Sequence, residues 1–169
     1  MENQILKKDA REAKRVREWH YKKTEPSKAY CYTPPILLLF LGVERYGVYS
    51  YISSFVQMNG WSYFKYEDIM KDLDLSRQKI SNILRSLRSM GIVTKHKMIG
   101  SNNVYYTIST EALDKIVMVV NEFSDIHPKR LRRELEGVNL NAVSYEYVRK
   151  LIWKYIPETK ADKINLFDE

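Results

Sequence analysis

Cysteine is almost missing from this chain: Cys31 stands alone among 169 residues, so an internal disulfide framework and a cysteine-rich zinc site are both excluded. Long apolar runs are missing too. The longest, residues 36–41, ends after six residues at Gly42, whereas a membrane-spanning helix needs about 20. Residues 1–30 mix acids with bases and lack the uninterrupted apolar stretch of a signal peptide, which makes the cytoplasm the expected address. There is no HExxH, no phosphate-binding loop signature and no GxGxxG, and His20, His96 and His127 are far apart in the chain. Glu67 and Asp68 are adjacent acids, but such a pair at a helix start is ordinarily a partner of the helix dipole. No catalytic residue, metal site or cofactor is therefore expected, and the chain reads as something other than an enzyme.

Acids are also missing from one long stretch, and that absence is the most informative. The net charge is +7, from 28 Lys and Arg against 21 Asp and Glu. Residues 1–28 hold 9 bases and 5 acids, residues 29–110 hold 9 and 5, and residues 111–169 hold 10 and 11, so the front of the chain carries the whole excess. Residues 75–110 contain no acid at all, yet include Arg77, Lys79, Arg85, Arg88, Lys95 and Lys97. Solubility asks only for mixed charges. A long stretch of one sign points instead to an anionic partner, with nucleic acid ahead of acidic protein or lipid.

What is present is enough apolar residue, 44% of the chain, for one or at most two small cores. Residues 1–28 read as a charged arm or short helix whose apolar spacing, Leu6, Ala10, Ala13 and Trp19, is too thin to build a core. After an apolar segment, Tyr49, Ile52, Ser53 and Val56 have helical spacing up to the Asn59-Gly60 break. A short helix at 66–73 places Glu67 and Asp68 in its first turn. Asp74, Leu75 and Ser76 then form a tight turn, with Ser76 as the cap of a helix over 77–90 that stops at Gly91. Its apolar stripe is Ile80, Ile83, Leu84, Leu87 and Met90. Segments 92–99 and 104–108 are β-rich and flank a turn cluster at 100–103. A helix follows to about Phe123, with a stripe at Leu113, Ile116, Val117, Val120 and Phe123; Met118 and Val119 widen it and call for a second partner. A basic knot at 127–133 and a helix at 144–155, with Tyr147, Val148, Leu151, Ile152 and Tyr155 on one face, complete the reading.

Opposite the apolar stripe of the 77–90 helix lie Gln78, Ser81, Asn82, Arg85 and Ser89, with Arg77 and Arg88 on one shoulder and Lys79 on the other. Arg, Gln and Asn are the side chains able to bond base edges bidentately, and small serines let a helix backbone approach the floor of a major groove. Gln78, Ser81, Asn82 and Arg85 are thus candidate base readers. Ser76, Arg77, Lys79, Arg88, Lys95 and Lys97 are candidate phosphate contacts, since strand alternation puts Lys95 and Lys97 on one face and His96 on the other. Arg77 and Lys79 stand in the first turn, where the helix dipole penalises cations, and a duplex phosphate nearby would offset that misplacement. Ser101, Asn102 and Asn103 form the hairpin tip, in reach of phosphate or minor groove. The many tyrosines, among them Tyr46, Tyr49, Tyr51 and Tyr63, are assigned to packing ahead of base stacking.

Asp72-Leu73-Asp74-Leu75-Ser76-Arg77-Gln78-Lys79-Ile80, followed by Leu84, Leu87, Gly91 and Ile92, resembles the turn and recognition-helix pattern of winged helix-turn-helix domains. These occur in bacterial, plasmid and phage transcription regulators and replication initiators. The resemblance implies a mainly α fold with a small β-hairpin wing (α+β) and duplex DNA as partner. The wing tip departs from the pattern, since many relatives carry Arg or Lys there. The expected organisation is a basic arm (1–28), a winged helix-turn-helix domain (29–110) and a helical dimerisation or partner-binding extension (111–169). Leu113, Ile116, Val117, Val120 and Phe123 are expected to pair across a two-fold axis in a homodimer. The expected function is a site-specific DNA-binding transcription regulator that occupies an operator and is nucleoid-associated when bound. The alternatives are an initiator that recruits replication machinery to origin repeats, and a winged-helix protein-interaction module. Lys163-Ile164-Asn165-Leu166-Phe167 is similar to the short apolar peptides that dock in bacterial sliding clamps, although Lys163 stands where those usually have Gln.

Overall fold

The computed structural model describes residues 9–23 and 34–154. Among them are eight helices and one antiparallel hairpin: α1 (Ala10–Lys23), α2 (Pro35–Leu41), α3 (Val43–Asn59), α4 (Tyr66–Leu73), α5 (Arg77–Ser89), β1 (Val93–Lys97), β2 (Val104–Ile108), α6 (Thr110–Glu122), α7 (Pro128–Leu135) and α8 (Tyr145–Trp153). The chain is mainly α, its hairpin follows the helices α3, α4 and α5, and further helices close the C-terminal side. Cys31, Tyr155 and the 163–167 peptide lie outside the described residues.

The core is organised around α3, whose Val48, Tyr49, Ile52 and Val56 are fully buried and which packs on α1, α2, α4, α5 and β2. The stripe of α5 behaves as its spacing predicts: Ile80, Ile83, Leu84, Leu87 and Met90 are all buried. The hairpin pairs Val93 with Ile108, Lys95 with Tyr106 and Lys97 with Val104. Ser62, in the loop between α3 and α4, forms an isolated antiparallel bridge to the hairpin by exchanging two backbone hydrogen bonds with Tyr106, at 2.9 and 2.8 Å. A single residue carries too little pattern to announce such a bridge.

The N-terminal segment corrects the sequence reading. Ala13, Val16 and Trp19 of α1 are buried; with His20 they make an i, i+3, i+6, i+7 stripe that the charged neighbours hide. Asp9 N donates to Asn59 O at the end of α3, and His20 meets Tyr49 and Ser53 farther back, so α1 runs antiparallel to α3. Gly60 permits this docking: its φ is +86°, and a Cβ there would stand 2.4 Å from Asp9 O. His20 Nδ1 donates to Val16 O at 2.7 Å, because a carbonyl can only accept. Its Nε2 is therefore the acceptor for the Tyr49 hydroxyl at 2.5 Å. Burial holds His20 neutral, pushing its pKa down to about 4 against an upward pull from the Val16 carbonyl. Trp19 Nε1 donates to Asp114 at 2.7 Å, and Arg15 to Thr110 at 3.0 Å, so α1 is also fastened to α6.

A second correction concerns α6. Leu113, Ile116, Val117, Val119 and Phe123 are buried within the chain itself, against α2, α7 and α8, and Val120 packs partly buried against the same core. The predicted dimer stripe is thus covered by the chain's own helices, which are also the second partner that the broad apolar surface of α6 demanded. Met118 alone of that surface is strongly exposed. The basic knot is a helix, α7, started by Pro128 and capped by His127, whose Nδ1 accepts from Lys129 N at 3.2 Å. Its Arg132 is buried and donates to Phe40 O at 3.1 Å and Leu41 O at 2.5 Å, satisfying carbonyls at the open end of α2. In α8, Val148 and Ile152 are buried as predicted, but Tyr147 is 49% exposed.

Candidate nucleic-acid interface

The turn that sets α5 against α4 is built by local rules. Asp74 takes the left-handed conformation, φ +51°, which short polar side chains tolerate best after glycine. It ends α4. Ser76 then opens α5, its Oγ accepting from Lys79 N at 3.3 Å, as an N-cap should. At the other end Gly91 takes φ +74°, and a Cβ there would meet Asn139 Oδ1 at 2.4 Å and Asn141 Nδ2 at 2.6 Å. Asn141 Nδ2 donates to Gly91 O at 2.7 Å, and Leu140 N to Met90 O at 3.1 Å. The loop before α8 therefore clasps the C-terminal end of α5, a contact that nothing in the sequence pattern announces.

The outward face of α5 carries Gln78, Asn82 and Arg85, all exposed, with Ser81 half-buried beside them. Gln78 Nε2 donates to Asn82 Oδ1 at 3.2 Å, which aligns two amides along the helix. Ser89 turns inward and donates to Ser86 O at 2.8 Å. Ser86 is buried and donates to Glu136 at 3.0 Å, while Arg45 reaches both, Ser86 at 3.3 Å and Glu136 at 3.5 Å. That side of α5 is therefore tied to α3 and to the end of α7.

The six predicted phosphate residues divide. Ser76 is engaged as the cap. Arg77 sits 3.5 Å from Glu67 and over the ring of Tyr66, 5.0 Å from its centroid. Lys79 is paired with Glu44 of α3. The first-turn cations thus have partners within the protein, acids that precede the acid-free stretch, as well as the phosphate that would offset their misplacement. Arg88, Lys95 and Lys97 are exposed and form the other group. Cross-strand partners share a face, so Lys95 lies on the face of Tyr106, and Lys97 on that of Val104. Burial pushes the Tyr106 phenol up, nearby Tyr66 adds to the rise, and Arg88 pulls it back down. Helix α5 packs against β1, so Arg88, Lys95 and Lys97 are carried by adjoining elements.

The outer face of the hairpin is different. His96 bonds Thr107 through Nε2 at 2.8 Å and stacks on Tyr105, ring centroids 4.8 Å apart. They line an open groove of about 580 Å³ that also holds Asp9, Glu12, Trp61 and Glu111. Arg15 also lines it but is held by Glu12, and Glu111 is held by Lys115, so this face has balanced charge and the exposed lysines lie on the inner one. At the tip, Asn102 and Asn103 are exposed and Ser101 is half-buried. Among the described residues, no group of three or more His, Cys, Asp or Glu is placed to hold a metal ion, and no helix is long and apolar enough to cross a membrane.

No family model and no curated protein matches the chain. Among solved structures, one described as a transcriptional regulator is similar over 72% of this chain and 98% of its own, at 16% identity and a TM-score of 0.32. A likeness of that size carries no argument about function, which must come from the geometry.

Proposed function

We propose that the chain is a site-specific duplex-DNA-binding protein that lays α5 in a major groove and acts as a transcription regulator by occupying its site. One observation carries the reading. The outward face of α5 offers Gln78, Asn82 and Arg85 without an acid among them, and α5 and the adjoining β1 also carry the exposed bases Arg88, Lys95 and Lys97. Side chains with bidentate hydrogen-bonding capacity face outward, and phosphate-seeking charges stand to one side, the division of labour that groove recognition needs. Arg85 matches the O6 and N7 acceptors of guanine; Gln78 and Asn82 match adenine. Ser81, half-buried, contributes closeness of approach.

Three bases without a carboxylate partner among the described residues set the electrostatics. Each phosphate neutralised contributes about −0.9 to the dependence of log affinity on log salt, so Arg88, Lys95 and Lys97 predict a slope of about −3. Were Arg77 and Lys79 also to leave their carboxylates for phosphates, the slope would approach about −5. The test is selection from a random pool of 30-base-pair duplexes at low salt, followed by titration of the enriched sequence over a salt series. Enrichment of one motif with a slope near −3 is the expected result. Retention of no duplex at any salt would overturn the proposal and leave a protein-interaction module as the better reading.

A further inference from the structure

The tip of the hairpin carries a side chain that neither its turn nor the core requires. Ser101 N donates to Met98 O at 3.3 Å and Met98 N to Asn103 O at 2.9 Å, with Gly100 at φ +79°. A turn with positive φ at its third position selects glycine there, and Ser101 Oγ fixes the return by accepting from Asn103 N at 3.1 Å. Gly100 and Ser101 are thus explained by turn chemistry. Ile99, between Met98 and Gly100, is 86% exposed, more than any other large apolar side chain among the described residues. A β-branched hydrocarbon displayed in water on a self-supporting turn contributes nothing to the fold.

Its position suits a use on the duplex. Val93 is buried where the hairpin leaves α5, and the six residues from there to Ile99 extend about 20 Å at strand rise. With α5 in a major groove, the neighbouring minor groove lies half a helical turn away, about 17 Å for a turn of about 34–36 Å. A hairpin of that reach, laid along the duplex, brings its tip over that minor groove. Lys97, exposed on the side of the hairpin that faces α5, is placed for the phosphate at its edge. We propose that Ile99 is an apolar wedge that enters this minor groove and kinks the DNA, an inference that rests on the duplex-binding reading above. Apolar side chains inserted between base steps partly unstack them and bend the duplex by about 20–90° toward the major groove. The wedge would favour easily unstacked steps such as TA and CA/TG at a position where no hydrogen bond reads the base.

The probe is the 30-base-pair duplex enriched by the wild-type protein, carrying fluorophores at both ends for distance measurement and placed at different positions in longer fragments for gel mobility. Wild type should bend it by at least about 20°. Ile99→Ala should bind within about tenfold of wild type, with the same salt slope because no phosphate contact is lost, and should leave the DNA straight. Ile99→Leu should restore the bend. Ile99→Ala should also melt with wild type, which a structural role for the side chain would not allow. Equal bending by wild type and Ile99→Ala, or a straight duplex bound by both, would overturn the wedge and leave duplex binding standing. An Ile99→Ala protein of lower sedimenting mass than wild type would likewise overturn it, assigning Ile99 to a contact between copies. Failure of wild type to bind any duplex would overturn both proposals together.

Discussion

The two ends of α5 are built from the same residue types, yet one is quiet and the other is not. On the α3–α4 side, Arg77 and Lys79 face Glu67 and Glu44. On the hairpin side, Arg88, Lys95 and Lys97 are exposed, and the strand residues that pair with the two lysines are Tyr106 and Val104. The difference shows that a stretch without acids in sequence is not a surface without acids in space. Helices α3 and α4 pack beside α5 and bring carboxylates from before residue 75, whereas the hairpin follows within the acid-free stretch and brings none on its inner face. Positive potential is therefore concentrated toward the hairpin, and the site is asymmetric along the axis of α5.

The largest effect that tests this asymmetry comes from stripping each flank separately. Arg88→Ala, Lys95→Ala and Lys97→Ala combined should flatten the salt slope by about 3, one per contact, and weaken all duplex sequences alike. Arg77→Ala with Lys79→Ala should change it by less than about 1, since their charges are already compensated. Salt titrations by fluorescence anisotropy decide the matter, and equal losses from the two sets would end the comparison. Between the flanks, Arg85→Ala should cost about 1–3 kcal/mol and relax preference at one base position. Competition among single-base variants of the selected duplex reads this out, and uniform weakening would move Arg85 to the phosphate list.

A control for both lies behind α3, where a charge is withheld instead of presented. His20 has a folded pKa of about 4 against an ordinary value near 6.5. The unfolded chain therefore takes up its proton first as pH falls, so the contribution is complete above about pH 6.5 and is lost toward pH 4. Between pH 8 and pH 5 this amounts to about 2 kcal/mol, measurable as a shift in denaturant midpoint. His20→Gln should abolish the dependence in that window whatever it does to absolute stability; a slope that survives the substitution would remove His20 as its source. Binding comparisons between the flanks thus belong at or above pH 7, where this group is silent.

How far the sequence could be read follows the same division between local and distant causes. The bounds of α4 and β2, the Ser76 cap and the buried stripe of α5 are set by residues within a few positions of one another, and all were legible. The outward face of α5 was legible for the same reason, because helical period alone fixes it. What escaped depends on partners remote in the chain. Glu44 reaches Lys79 and Glu136 reaches Ser86 across 35 and 50 residues, and no spacing rule links them. The basic knot hid α7 because its one buried cation, Arg132, is there to satisfy carbonyls of α2. The α6 stripe was rightly seen as apolar and wrongly assigned a second copy, since period says that a face is covered and not by what.

The smallest effect is the sharpest test of the comparison, because it asks whether the quiet end can be made active. Glu44→Gln removes the carboxylate facing Lys79. The pair is about half exposed on both sides, so its loss should cost the fold no more than about 1 kcal/mol. The freed ammonium remains in the first turn of α5, where the helix dipole disfavours it, and a phosphate is then the available anion. Affinity for the selected duplex should rise at low salt and the slope should steepen by about 1, with base preference unchanged because no base contact is altered. A slope that stays put would show that Lys79 points away from the DNA and that this end is only a docking surface for α3. A wild-type slope already near −5 would show instead that Glu44 and Glu67 yield their partners on binding, and that the asymmetry belongs to the free protein alone.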